Sequence, residues 1–324
     1  MLSPIASSRL SPPPPPRRVA VSVKRPQWLV LGERDRLGRA VQRVSVHGTD
    51  LVVYPAGPEG ELRVAKDACP HRGASLSRGT AEDGCITCAY HGMSIGMGSH
   101  PERHYSYAVA QGLVWLDYSS NVITQHFQPP TYPEFSDDAF RTFGYSKELE
   151  VNPVLLTENT LDWQHLAYVH RVHFVDGTPK VEIKSTGAHG LATYTYQSDL
   201  FDLVIENEYH IPFTTSLRFR FTDRRTGRAL PPLLLWFSVT PQNAERVTLN
   251  LRVSRAVLTA VPALTDWIFR FIDELPLRED ADVVGAVDPR EWSANQLTPG
   301  DAFIKAYRAA MRDAFPELLE WYVE

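Results

Sequence analysis

From Gln27 onward the chain alternates apolar and polar residues in short runs. QWLVLG, RVSVHG, DLVVYP and ELRVAK are each broken off by Gly, Pro or Asp. A period of two between turn residues predicts short antiparallel strands. RHYSYAVAQGLVWLDY (103–118) repeats the strand–turn–strand pattern, so residues 27–122 are expected to form a small all-β domain. QPPTYPEFSDD (128–138) is rich in Pro and Asp and reads as a connector. LLTENTLDWQHLAYVH (155–170) has helical character. ATYTYQSDLFDLVIENEYHI, SLRFRFTD, LLLWFSVTP and RVTLNLRVS then supply strands. TPGDAFIKAYRAAMRDAFPELLEWYV carries apolar residues at helical spacing behind a capping Thr298 or Asp301. Residues 123–324 are therefore expected to be a second, α+β domain, with helices packed on an antiparallel sheet. No internal repeat interrupts this plan.

Composition narrows the partners. The 324 residues are long for one core and comfortable for two domains. With 43% hydrophobic and 22% charged residues, the balance is that of a soluble globular protein. The net charge of -5, with no basic stripe between aromatics, argues against nucleic acid. AVLTAVPALTDWIFRFI (256–272) is interrupted by Pro262, Asp266 and Arg270 and is too short to span a bilayer. Three cysteines exclude a framework of several disulfides and fit a reducing compartment. Residues 1–26 hold a five-proline run, Ser and Arg, and no acid. They read as a disordered tail or as a transit peptide. The expected compartment is the cytoplasm, or the plastid stroma if the tail is a targeting segment.

Two stretches carry chemistry. CPHRGASLSRGTAEDGCITCAYH (69–91) places Cys69 two residues from His71, and Cys88 three from His91. Two thiolates and two imidazoles suit one tetrahedral zinc, but Cys-x-His is tight for a zinc knuckle. They also suit a [2Fe–2S] centre with cysteines on one iron and histidines on the other. Gly73 and Gly92 would let main-chain N–H groups approach the inorganic sulfide. Cys85 is left over, as a packed thiol or as a C-x-x-C partner of Cys88.

The second stretch, ENTLDWQHLAYVH (158–170), holds Asn159, Asp162, His165 and His170. As one continuous helix it would be amphipathic with two surface histidines, because positions five apart point ~140° away from each other. For both rings to meet one metal, the helix must bulge or end between them. Asp162 and His165 would share a face. His173 is a rival to His170.

CPHRGASLSRG and CAYHG resemble the two loops of the Rieske family over residues 27 to about 118. The Rieske non-haem iron oxygenases are resembled more fully, because E-N-x-x-D-x-x-H-x4-H follows. The resemblance implies that Cys69, His71, Cys88 and His91 hold a Rieske [2Fe–2S] cluster. It implies that His165 and His170, with a distant carboxylate, hold a mononuclear Fe(II) with positions open for O2. REDADVV fits the family's carboxylate segment and makes Asp280 the third ligand, with Asp282 as fallback. Asp162 would hydrogen-bond His165 and take electrons from His91 of a neighbouring subunit, which implies a head-to-tail homotrimer. Asn159 would lie near the iron, or pack the helix. An external NAD(P)H-linked reductase or ferredoxin would supply electrons. LLLWFSVTP (233–241) would line a pocket for a moderately apolar ring compound, hydroxylated or demethylated.

Ala74 and Tyr90 stand where high-potential respiratory members carry an extra disulfide, which implies the lower-potential branch. Met93 replaces the family's usual Trp. Length and the C-terminal helix look like the monooxygenase and demethylase branch or the pheophorbide-oxygenase-like group. Chlorophyll-related members often carry a C-terminal anchor. The sequence reaches Glu324 without one, so plastid-membrane attachment is not expected. The alternatives are a Rieske electron carrier without its own oxygenase activity, and a zinc-bound binding module.

Overall fold

The computed structural model describes residues 27–57, 60–118, 128–171, 179–197, 199–256 and 262–323, and side chains of the long helix from residue 274 onward. The tail 1–26 and the rival ligand His173 lie outside the described residues.

The N-terminal part is built from short strands. They are β1 (Trp28–Glu33), β2 (Gln42–Val46), β3 (Thr49–Pro55), β4 (Leu62–Lys66), β5 (Thr80–Glu82), β6 (Cys85–Thr87), β7 (Ser94–Gly96), β8 (Tyr107–Ala110) and β9 (Leu113–Asp117), with one turn of helix, α1 (Arg34–Leu37). They pair into three antiparallel three-stranded sheets, ordered β1-β9-β8, β2-β3-β4 and β5-β6-β7. β5-β6-β7 lies between and beside the two loops of the Cys/His stretch.

The second part centres on a seven-stranded antiparallel sheet. Its strands are β10 (Arg141–Leu149), β11 (Lys180–Ser185), β12 (His189–Gln197), β13 (Phe201–His210), β14 (Thr214–Asp223), β15 (Leu233–Pro241) and β16 (Val247–Arg255), in the order β10-β16-β15-β14-β13-β12-β11. Helices α2 (Pro153–Leu161) and α3 (His165–Tyr168) are inserted after the first strand. α4 (Pro262–Gly285), α5 (Ala302–Ala314) and α6 (Pro316–Tyr322) follow the last. The expected α+β class is the one observed.

Strand alternation sorts the faces of the sheet. Leu203, Ile205, Asn207 and Tyr209 of β13 are buried on the face that carries the helices. Val204, Glu206, Glu208 and His210 stay half-buried on the other. On that outer face, Leu234 and Trp236 of β15 pack against Val30, Leu113 and Trp115 of the N-terminal sheet. Buried polar contacts lock the seam. Arg252 bridges Glu33 at 2.6 Å and Thr240 donates to the Val30 carbonyl at 2.5 Å.

Two strands, β10 and β11, are missing from the pattern-based expectation. Both are edge strands with much exposed side chain, so neither shows clean alternation. The acidic run 273–289 forms the second half of α4 and the turn beyond. Among the described residues no helix is long and apolar enough to cross a membrane.

Candidate functional site: two metal centres

The two Cys/His loops have the same closure. Cys69 N–H donates to the Ala74 carbonyl at 2.7 Å, and Cys88 N–H to that of Met93 at 2.8 Å. Gly73 and Gly92 N–H donate back to the carbonyls of Cys69 and Cys88 at 2.8 and 2.9 Å. These four N–H groups close the loops. Glycine is needed for the positive φ, +74° and +72°, and a Cβ at either position would meet open space within 4 Å. Asp67, buried behind the first loop, accepts from Ser75 Oγ, Ser77 N and Ser77 Oγ at 2.6–2.7 Å and fixes its path.

Both cysteines are buried, while the histidines face outward with ring centroids 4.9 Å apart. The N–H of Tyr90 is the main cause holding the Cys88 thiol below its ordinary range. Burial opposes it, and contacts with Cys69 Sγ and His91 N–H add to it. The two thiols are in contact on the buried side and the two imidazoles are neighbours on the exposed side. A two-iron cluster sits between just such a cysteine pair and histidine pair, so the residues fit the [2Fe–2S] group. Tyr90 stacks on His91 at 3.8 Å and 28°, and Met93 Sδ lies 3.9 Å from Cys69 Sγ, so Met93 packs on the cysteine side. Cys85, half-buried on β6, is no part of this set.

The helix carrying the second stretch does break. α2 stops at Leu161, and His170 lies beyond the end of α3, just before Arg171 in the left-handed region at φ +56°. The break brings the two rings together, with centroids 5.1 Å apart. Asp280 Oδ1 from α4 is 3.5 Å from His165 Nε2 and 3.1 Å from His170 Nε2. These three donor atoms lie within 4.8 Å of one another. Asp280 Oδ1 is buried and accepts no hydrogen bond, as expected of an oxygen shaped for a cation. Each ring's other nitrogen has an acceptor. His165 Nδ1 donates to the Asp162 main-chain carbonyl, and His170 Nδ1 to Glu279 Oε2 at 2.9 Å. That fixes both tautomers with the Nε2 lone pairs toward the site. Two imidazoles and one carboxylate on one side fit a facial triad on Fe(II). Asp282, the fallback, is exposed on α4.

Three expectations change in detail. Asp162 and His165 do not share a helical face, because Asp162 stands in extended backbone at the end of α2. Its contact to His165 is made by the main-chain carbonyl, while its carboxylate Oδ1 accepts from Gln164 N–H at 2.8 Å. Burial raises the Asp162 carboxyl, against the pull of the Gln164 N–H and the His165 charge. Asn159 contributes its carbonyl, which accepts from Asp162 N–H at 3.2 Å. Glu279, one of the acids of the run 273–289, is the partner of His170 and not itself a ligand. One residue escaped the sequence reading: buried Asn207 of β13 donates to the Thr160 and Leu161 carbonyls at 3.2 Å. No local pattern marks Asn207, although a polar residue in the buried register of β13 was a signal.

Residues 27–103 match the model of the Rieske [2Fe-2S] domain. Residues 149–316, more than half of the chain, match that of the Vanillate O-demethylase oxygenase C-terminal domain. The oxygenase component of dicamba O-demethylase from Stenotrophomonas maltophilia is 28% identical over 164 residues, 45% of this chain and 47% of that protein. Chloroplastic pheophorbide a oxygenase of Oryza sativa subsp. japonica is 34% identical over 154 residues, 40% of this chain and 29% of the relative. The chain thus spans less than half the length of these curated relatives. Dicamba monooxygenase bound to 3,6-dichlorosalicylic acid superposes with a TM-score of 0.76 at 19% identity, over 91% of this chain and 97% of that one. At that identity the likeness shows the fold.

Proposed function

The chain belongs to the Rieske oxygenases with a vanillate O-demethylase-type C-terminal domain, and from that premise we propose that it is the oxygenase component of an O2-dependent oxidoreductase. Its substrate is a moderately apolar, ring-containing small molecule, which it hydroxylates or oxidatively demethylates. The observation that carries this reading is the convergence of His165, His170 and Asp280 in a chain that also holds the Cys69/His71/Cys88/His91 loops. An electron carrier would need only the loops. Residues 27–122 are the electron-accepting domain and 123–324 the catalytic one.

When bound, the cluster and the iron supply one-electron transfer and O2 activation. The chain's own residues do the rest. Asp162 O and Glu279 hold the two imidazoles in the ligating tautomer. Asp280 would supply the carboxylate ligand and balance the metal's charge. Leu233, Leu235 and Phe237 of β15 belong to the apolar core that also takes in Leu217 and Phe219, and we assign them to the wall of the substrate pocket. Asn159 contributes a hydrogen bond near the iron.

With both metals bound, His91 of one protomer and Asp162 of the next would link the two centres in a head-to-tail homotrimer, Asp162 holding His165 through its main-chain carbonyl. A reductase or ferredoxin supplies the electrons, and the relatives named for dicamba and vanillate demethylation support that arrangement. The chain's compartment is the cytoplasm, or the plastid stroma if the acid-free tail is a targeting segment, and the relatives include both bacterial and chloroplastic proteins.

The test is metal content and single turnover. The oxygenase contains about three irons per chain, two of them in the cluster; a carrier contains two. The reduced protein should consume O2 faster when an aromatic, sterol or tetrapyrrole substrate is added. Asp162→Asn should keep both metals and slow single turnover severely. An unchanged rate would remove Asp162 from the path.

A further inference from the structure

A second cluster of ligating side chains lies away from both centres, on the outer face of the seven-stranded sheet. His189 of β12 and His210 of β13 are directly paired across the ladder, with stacked rings at 4.5 Å and 26°. Glu208 stands two residues before His210, on the same face. Its Oε1 lies 2.6 Å from His189 Nε2 and 3.2 Å from His210 Nε2. Ser216, opposite Glu208 on β14, donates to the other oxygen, Oε2, at 3.2 Å. The serine thus turns Oε1 toward the two imidazoles. Three consecutive strands of one ladder hold the group, so its geometry is preorganised.

We propose that His189, Glu208 and His210 form a zinc site that staples strands β12 and β13. The three donor atoms lie within 4.8 Å of one another, the same criterion met by His165, His170 and Asp280. Two neutral imidazoles and a carboxylate, with a fourth position open to water, are a common donor set for Zn2+. The two groups differ in access. The His165, His170 and Asp280 side chains are 11%, 5% and 13% exposed, whereas His189, Glu208 and His210 are 38%, 19% and 28% exposed. An ion therefore reaches the second group without opening the fold. On binding, each Nε2 gives its lone pair to the metal and its proton moves to Nδ1 through water. Neutral imidazoles thus release no net proton. Tyr132 stands edge-on to His210 at 6.2 Å, so the apolar cluster of Tyr132 and Trp236 backs the ligands.

The test uses iron-replete protein equilibrated with zinc chloride, freed of excess metal by gel filtration and assayed for zinc and iron. The parent should gain one zinc per chain and keep its iron. His189→Asn and His210→Asn should weaken zinc binding more than about a hundredfold, beyond the loss typical of removing an outer-shell partner. Glu208→Gln should weaken it at least about tenfold. Unchanged visible and far-ultraviolet spectra check that each variant folds. If one does not, X-ray absorption at the zinc edge of the parent stands in, with imidazole and oxygen scatterers expected at about 2.0–2.1 Å. Four outcomes overturn the proposal: no zinc uptake, equal uptake in the variants, zinc gained only as iron is lost, or sulfur scatterers around the zinc.

Discussion

At the scale of single residues, the acidic run of α4 shows how position on a helix decides a role. Asp280 and Asp282 are two apart, so they point roughly 160° from each other, and only one can face the histidines. Asp280 Oδ1 does, while Asp282 is exposed. Asp280→Ala should therefore lose the mononuclear iron and keep the cluster's colour, and Asp282→Ala should keep both, as read by iron per chain. Glu279 acts one step out, through its 2.9 Å hydrogen bond to His170 Nδ1. Glu279→Gln should weaken iron binding by about 10–100-fold, measured by competition with a chelator. The family resemblance picks Asp280 ahead of Asp282, but nothing local in the sequence pairs Glu279 with His170.

At the scale of elements, the decisive feature is the break between α2 and α3. In an unbroken helix the carbonyls of Thr160 and Leu161 would accept from the N–H groups of residues 164 and 165. Asn207 Nδ2 takes both carbonyls, and Gln164 N–H turns to Asp162 Oδ1 as at a helix N-cap. No Gly or Pro marks the spot, so the break is imposed from the sheet. One turn before the break, α2 is held by a buried ion pair. Glu158 accepts from Arg308 Nη2 at 2.7 Å and from Trp292 Nε1 at 2.8 Å, and Arg308 donates to the Trp292 carbonyl at 2.9 Å. Burial raises the Glu158 carboxyl, and Arg308 opposes that. Arg308→Met removes the compensation and should cost about 3–5 kcal/mol, seen as a lower urea midpoint. The sequence shows Glu158 beside Asn159 in the motif, but Arg308 lies 150 residues away and nothing local links them.

At the scale of the whole molecule, the two parts are joined by more than the β1/β15 seam. The turn between β2 and β3 reaches the catalytic part, where His47 and Gly48 N–H donate to the carbonyls of Pro241 and Gln242 at 2.8 and 2.7 Å. The His47 ring is fully enclosed, hydrogen-bonded to the Tyr322 hydroxyl and packed against Tyr118 and Trp321. Burial lowers it from 6.5 to about 3. The unfolded chain takes up this proton near pH 6.5 and the folded chain only near 3. The stability present above 6.5 is therefore lost progressively as pH falls through that window. Between pH 7 and 5 the loss attributable to His47 should be roughly 2 kcal/mol. His47→Phe should flatten that limb of the urea midpoint against pH.

The sequence by itself determined which residues could ligate and where strands run. Those depend on residue type and on short periodicities: two for a half-buried strand, and Cys-x-His and Cys-x-x-His for the two loops. LLLWFSVTP fell on β15 without a residue to spare at either end. Only the tertiary structure decided that Asp280 Oδ1 faces both His165 and His170, that Glu279 backs His170, and why the helix between the two histidines stops. It also gathered His189, Glu208, His210 and Ser216, which no motif connects. The reason is the same in each case. The partners come from elements far apart in the chain, and their distances are set by packing of strands and helices, not by spacing along the sequence.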